Sequence, residues 1–113
     1  MYWKIDKDCL PGEGYPSNAG TWGEAGYGCA VARNGKIGTS TYKGQTICPV
    51  EDSELTVRFR ILDDDGEPYY EGRMTHALAL SDGVLAPLDD FAMPQAGATS
   101  LEISFGGLDW EQV

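Results

Sequence analysis

The sequence predicts a mainly β protein: a single small antiparallel β domain of hairpins at about residues 54–75 and 99–113, a glycine-rich loop-and-strand region before them, and at most one short helix. Three observations carry that expectation. Leu55, Val57, Phe59 and Ile61 alternate with Thr56, Arg58, Arg60 and Leu62, the period of a strand with one buried face. Leu101, Ile103 and Phe105 repeat the pattern near the end of the chain. No segment sustains a helical period over ten residues, and turn residues divide the rest into pieces of strand length. At 113 residues the chain, 1–113, has the size of one domain, enough to bury roughly two-thirds of its unfolded surface.

Taken in order, the first eight residues alternate charges with apolar side chains, so neither a secretory core nor a targeting helix is expected there. No run approaches the ~20 apolar residues of a membrane span. Nine glycines between residues 11 and 44 leave room only for loops and short strands. Asn34-Gly35, between Ala30-Val31-Ala32 and Ile37, is a hairpin signal because both turn residues accept positive φ. The glycines follow no phosphate-loop order and read as turn chemistry.

The strand from Glu54 is broken by Asp63-Asp64-Asp65-Gly66, and a second runs from Glu67 to about Thr75. Charge argues for a four-residue loop, which sets Arg58 opposite Glu71 and Arg60 opposite Tyr69. A two-residue loop would place Arg58 opposite Arg73, a like-charge pair that costs stability. Either register puts Val57, Phe59 and Ile61 on the face of Tyr70, Gly72 and Met74. Residues 76–98, with Ser81-Asp82-Gly83, Ala86-Pro87 and Met93-Pro94, are expected to hold little regular structure. In the last hairpin a Gly106-Gly107 turn would pair Ile103 with Trp110 and, on the solvent face, Glu102 with Glu111.

The charge is unevenly spread. Residues 1–50 carry four acids and five bases, whereas residues 51–113 carry fourteen acids and three bases, and no base follows Arg73. With a formal net charge of −10, the surface should repel nucleic acid and anionic lipid, whose recognition needs lysine and arginine in excess. An electrostatic partner should be a basic protein. Three cysteines at wide spacing, Cys9, Cys29 and Cys48, suit a reducing compartment better than a disulfide framework, so a cytoplasmic location is expected.

The run Ile61 to Gly72, containing Asp63-Asp64-Asp65-Gly66-Glu67-Pro68-Tyr69-Tyr70, followed by Pro87-Leu88-Asp89-Asp90-Phe91 and Ala96-Gly97-Ala98-Thr99, resembles small acidic proteins of bacteria and their mobile elements that are uncharacterised. The resemblance covers about residues 54–113 and brings no catalytic residue with it. What it implies is context: such proteins look like the class that includes anti-CRISPR and anti-restriction inhibitors, some of which present carboxylates where nucleic acid would bind.

Candidate sites were weighed against that background. The acidic positions Asp63, Asp64, Asp65, Glu67, Asp89, Asp90, Glu102, Asp109 and Glu111 are the candidate partner-binding residues. Carboxylates two apart on a strand, such as Asp109 and Glu111, lie about 6.7 Å apart, close to the phosphate spacing of a nucleic-acid strand. The plain reading of the same acids is solubility. Asp63 to Asp65 fail the EF-hand pattern, which would place Ile61 and Gly72 at essential ligand positions, so no metal is expected. His76, the single histidine, has no CxxC or HxxxH context for zinc and no spacing that pairs it with a cysteine, so neither a cofactor nor an enzyme is expected. A non-enzymatic inhibitor that occludes a basic nucleic-acid-binding site is the leading expectation. The alternative is a small-ligand or carbohydrate module in which Trp22 and Tyr27 form an exposed platform.

Overall fold

The computed structural model describes residues 1–10, 17–30, 48–107 and 109–113. Seven antiparallel strands form one sheet: β1 (Tyr2–Asp8), β2 (Trp22–Glu24), β3 (Gly28–Ala30), β4 (Val57–Leu62), β5 (Pro68–Met74), β6 (Ser100–Ser104) and β7 (Glu111–Gln112). Their spatial order is β3-β2-β1-β5-β4-β6-β7, so β1 crosses to the centre and pairs with β5. The expected mainly antiparallel β architecture is what the chain adopts. The Asn34-Gly35 hairpin lies outside the described residues.

One face of the sheet is packed. Trp3 and Ile5 of β1, Val57, Phe59 and Ile61 of β4, Tyr70 and Met74 of β5, and Leu101 and Ile103 of β6 all turn inward, as strand alternation requires. The chain between β5 and β6 covers them, and here the sequence expectation is corrected. Residues 76–98 are not irregular: α1 (His76–Ala79) is a short turn of helix, and a π-helical stretch, Pro87–Ala92, runs directly into α2 (Met93–Ala96). Pro87 opens the π-helical stretch, where a missing N–H is tolerated, and Pro94 follows the junction with α2, inside the continuous helical run. Pro94 cannot donate to the carbonyl of Asp90 four residues back, and that oxygen instead accepts from the Cys29 thiol at 3.8 Å. Gly97, at φ +73°, ends the helix. Leu88, Phe91 and Ala92 are its buried residues facing the sheet, and the Phe91 ring lies 5.0 Å from Tyr70 and 6.0 Å from Trp3.

Both hairpin registers differ from those expected. In β4–β5, Arg58 stands opposite Arg73, Phe59 opposite Gly72 and Arg60 opposite Glu71, two residues away from the register that charge favoured. A bulge between Ile61 and Leu62 then adds a residue to the two-residue loop this register would give: the Asp63 N–H donates to the Glu67 carbonyl, and Gly66 takes φ +81°. In β6–β7, Glu102 faces Gln112 and Ile103 faces Glu111, a shift of one residue. The turn is wider than two residues, with the Ser104 hydroxyl donating to the Gly107 carbonyl and Gly106 at φ +105°. A one-residue shift exchanges the faces of a strand. Trp110 therefore leaves the core for the opposite face, and Glu102 and Glu111 part company.

Gly72 and Gly66 separate two uses of glycine. A Cβ on Gly72 would lie 2.1 Å from the Lys4 carbonyl oxygen and 2.6 Å from the Phe59 ring, whereas one on Gly66 would meet nothing. Gly72→Ala is expected to cost about 3 kcal/mol or more, the upper end for overpacking, because a backbone oxygen in a paired strand cannot yield. Gly66→Ala should cost about 1–2 kcal/mol from backbone strain alone. Urea unfolding of the two variants measures the difference, and equal costs would contradict the close approach of β1 to β5.

Candidate functional site: the charged surface

The second face of the sheet collects every lysine and arginine among the described residues. Lys4 pairs across strands with Arg73, and Arg73 with Arg58, which makes a row of three cations over β1, β5 and β4. Arg60 and Lys7 follow, both opposite Glu71. Like charges in adjacent strands repel, and each cation in this group has an internal answer. Arg73 donates to both carboxylate oxygens of Asp6, at 2.7 and 2.9 Å, a fork geometry that raises the guanidinium pKa further. Asp52, in the 3-10 turn Asp52–Glu54 that passes over this face, lies 3.7 Å from the Lys4 ammonium and 3.6 Å from Arg73. Arg60 donates to Glu102, and Lys7 lies 3.8 Å from Glu71. Trp110 supplies the remaining contact, with its ring 4.3 Å from the Arg60 guanidinium and 5.1 Å from that of Arg58.

This arrangement decides where unbalanced charge can be. Asp6, Asp52, Glu71 and Glu102 are matched to the cations of the second face. Asp63 is occupied differently: its Oδ1 accepts the N–H groups of Asp65 and Glu67 at 2.8 and 2.9 Å, which fixes the β4–β5 tip. Asp64, Asp65, Glu67, Asp82, Asp89, Asp109 and Glu111 are exposed, and none forms an ion pair among the described residues.

The candidate acids therefore do not form one stripe. Asp63, Asp64, Asp65 and Glu67 crown the β4–β5 tip, beyond Leu62 and Ser100. Asp109 lies past Ser104, at the other end of the same strands. Glu102 is tied to Arg60 on the second face, whereas Glu111 lies on edge strand β7 opposite the inward-facing Ile103. Asp89 and Asp90 belong to the helical segment; Asp90 lies near Cys29 of β3, the strand at the edge opposite β7. The acids surround the sheet at several separate places. Sequence reasoning missed the cation row because it assigned Arg58 the wrong cross-strand neighbour, and it missed Asp82, which is as exposed as the acids it chose.

The remaining candidates are placed plainly. Trp22 is only 1 % exposed and packs with Ala30, Tyr2 and Cys48 in a small cluster on the second face, so it is no part of an exposed aromatic platform. Tyr27 is 68 % exposed and has lost its expected companion. His76 lies edge-on to the Phe105 ring at 5.7 Å. Cys9, Cys29 and Cys48 are free thiols. Burial, and then Asp90, pushes Cys29 up to about 11; burial, and then Glu71, raises Cys9. Such thiols are poorly ionised near neutral pH. Among the described residues no three His, Cys, Asp or Glu side chains gather as a metal site, and no helix is long and apolar enough to cross a membrane. A groove of about 260 Å³ lies between Arg60, Glu71 and Glu102 and the tip residues Gly66 and Pro68, smaller than the ~300–1,000 Å³ of ordinary ligand pockets. No protein-family model, curated protein or solved structure matches this chain.

Asp90 is the strained acid. Burial first, and the charge of Asp89 second, raise its carboxyl above the usual range, and its Oδ2 is enclosed without a hydrogen-bond partner among the described residues. A carboxyl whose folded pKa is raised destabilises the fold when ionised, so its contribution improves as pH falls through that raised pKa. Asp90→Asn should therefore raise the urea midpoint at pH 7, and its advantage should shrink as the wild-type carboxyl takes up its proton. Urea titrations at pH 7 and pH 4 test this; an advantage of the same size at both would exclude charge as the cause.

Proposed function

We propose that the protein is a non-enzymatic acidic interaction protein that occludes a basic, nucleic-acid-binding site on a partner protein, in the manner of the anti-defence inhibitors of mobile elements. One observation carries the reading. The described cations are gathered and matched on one sheet face, while Asp64, Asp65, Glu67, Asp82, Asp89, Asp109 and Glu111 stay exposed without counterions among the described residues. Such a surface exerts an uncancelled negative field on anything that approaches it from outside the second face. A basic groove on a partner would gain by long-range attraction and would then be closed to nucleic acid. The resemblance of residues 54–113 to acidic proteins of mobile elements agrees with that use. Of the two aromatics on which the carbohydrate alternative rests, Trp22 is buried and Tyr27 alone is exposed.

The test is affinity capture from bacterial lysate across a salt series, with the bound protein then assayed for nucleic-acid binding. Exposed charges are screened over ~8 Å at physiological ionic strength, so affinity should fall at least tenfold between low and high salt. The double variant Asp109→Lys/Glu111→Lys should slow association by a similar factor. Capture that ignores salt, or a partner that still binds nucleic acid when the protein is saturating, would refute the reading.

A further inference from the structure

The topology brings together, at one end of the sheet, side chains that are far apart in sequence. β1 begins there, β2 ends there, β3 starts there, and β5 and β6 finish there. Of the six large apolar side chains left exposed among the described residues, four lie at this end: Met1 (49 %), Tyr27 (68 %), Leu80 (68 %) and Phe105 (48 %). Contacts between the segments that carry them set these segments side by side. The Ala25 N–H donates to the Met1 carbonyl at 3.1 Å, in the turn that carries Tyr27. Gly83 abuts Ala25, which sets the Leu80–Gly83 segment beside that turn. The Leu80 N–H donates to the His76 carbonyl, and the His76 ring meets Phe105.

Soluble chains rarely leave several large apolar side chains contiguous at the surface, and a patch of a few hundred Å² marks an interaction site more often than chance. Acids border the strip: Asp82 adjoins Leu80, and Asp109 lies in the turn that follows Phe105. Neither has a counterion among the described residues. The opposite end, at the β4–β5 tip, is acidic, and the remaining two of the six, Met93 and Val113, lie toward it on separate segments, the helical stretch and the edge after β7. We infer that the Met1, Tyr27, Leu80 and Phe105 strip, rimmed by Asp82 and Asp109, is the docking face, and that its occupant is a protein surface with an apolar centre and a lysine- or arginine-rich rim.

This inference rests on the acidic-interaction reading and narrows it. The apolar strip supplies desolvation energy and specificity, and the acidic rim selects a basic surround. Charge chooses between a foreign partner and a second copy of the chain. Two copies meeting by this face would bring Asp82 and Asp109 against the same acids, with a net charge of −10 on each chain. On this view the β4–β5 tip contributes to the general field and to solubility but makes no contact.

The experiment places a photo-cross-linking p-benzoylphenylalanine at position 27, 105 or, for comparison, 65, and irradiates each protein in bacterial lysate at low salt. In parallel, the triple variant Tyr27→Ser/Leu80→Ser/Phe105→Ser is used for salt-eluted capture. All three residues are exposed, so its urea midpoint should stay near that of the wild type. The expected result is adducts from positions 27 and 105 but not 65, joined to peptides of a lysine- or arginine-rich surface, and at least a tenfold loss of capture by the triple variant. Adducts with a second copy of the chain would overturn the inference. Adducts from position 65 alone, or salt-sensitive capture unaffected by the triple variant, would overturn the face while leaving the acidic reading standing. Absence of any salt-sensitive capture would remove both.

Discussion

The close fit of the Phe59 ring over Gly72 is the contact on which the rest of the sheet depends. Gly72 has no room for a Cβ, because the Lys4 carbonyl lies on one side and the Phe59 ring on the other. Setting Phe59 opposite Gly72 also sets Val57 opposite Met74 and Ile61 opposite Tyr70, so large and small groups alternate across the pair. The register that charge favoured would oppose Phe59 to Tyr70 and leave Val57 facing a glycine. Burial of one large apolar side chain contributes about 1.5–3 kcal/mol, whereas an exposed cross-strand ion pair contributes under ~1 kcal/mol. Packing decides the register, and the arginines accept the consequence.

That consequence organises the second face. With Arg58 beside Arg73 and Lys4, three cations share a narrow row, and the chain brings anions and an aromatic ring to them from distant places. Asp6 comes from the bulged part of β1, Asp52 from the 3-10 turn before β4, and Trp110 from the turn before β7. Trp110 can reach them only because the β6–β7 register is one residue away from the tight-turn pairing. The two register shifts are thus complementary: one leaves Arg58 facing a like charge, and the other delivers a ring to lie against it. Four acids are used up on this face, and the exposed excess is left everywhere else.

How legible this was in the sequence follows from which forces each element obeys. Alternation identified β4, β5 and β6 and their inward faces, since a two-residue slip preserves the face and the pattern does not depend on the partner. Register was not legible from charge, because the packing of Phe59 on Gly72 outweighs the arginine pair and cannot be read from a single strand. The helical segment was hidden by Pro87 and Pro94, which read as turn residues, although Leu88, Phe91 and Ala92 have helical spacing. Pro87 opens its element, and the carbonyl that Pro94 leaves without a donor inside the run is served by Cys29 from a strand more than sixty residues away in sequence. The apolar strip was invisible for a similar reason. Met1, Tyr27, Leu80 and Phe105 stand singly among polar neighbours and become adjacent only when five strands end together.

A surface that served solubility alone would spread its acids and also scatter its exposed apolar side chains, since contiguous patches invite association. Here the acids are spread, whereas four of the six exposed large apolar side chains among the described residues gather at one end. The packed face of the sheet is closed by the helical segment, and the second face is closed by the ion-pair network, the Trp22 cluster and Trp110. Neither face leaves a large apolar side chain exposed at its centre among the described residues. The sheet end is different because strands finish there, and their turns must carry whatever side chains follow. At that end α1 turns Leu78 and Ala79 inward and leaves Leu80 outward, the β2–β3 turn lifts Tyr27 clear of the sheet, and Phe105 follows the last residue of β6. The gathering of Tyr27, Leu80 and Phe105, all exposed, at one sheet end is what the proposed contact with something outside the chain accounts for.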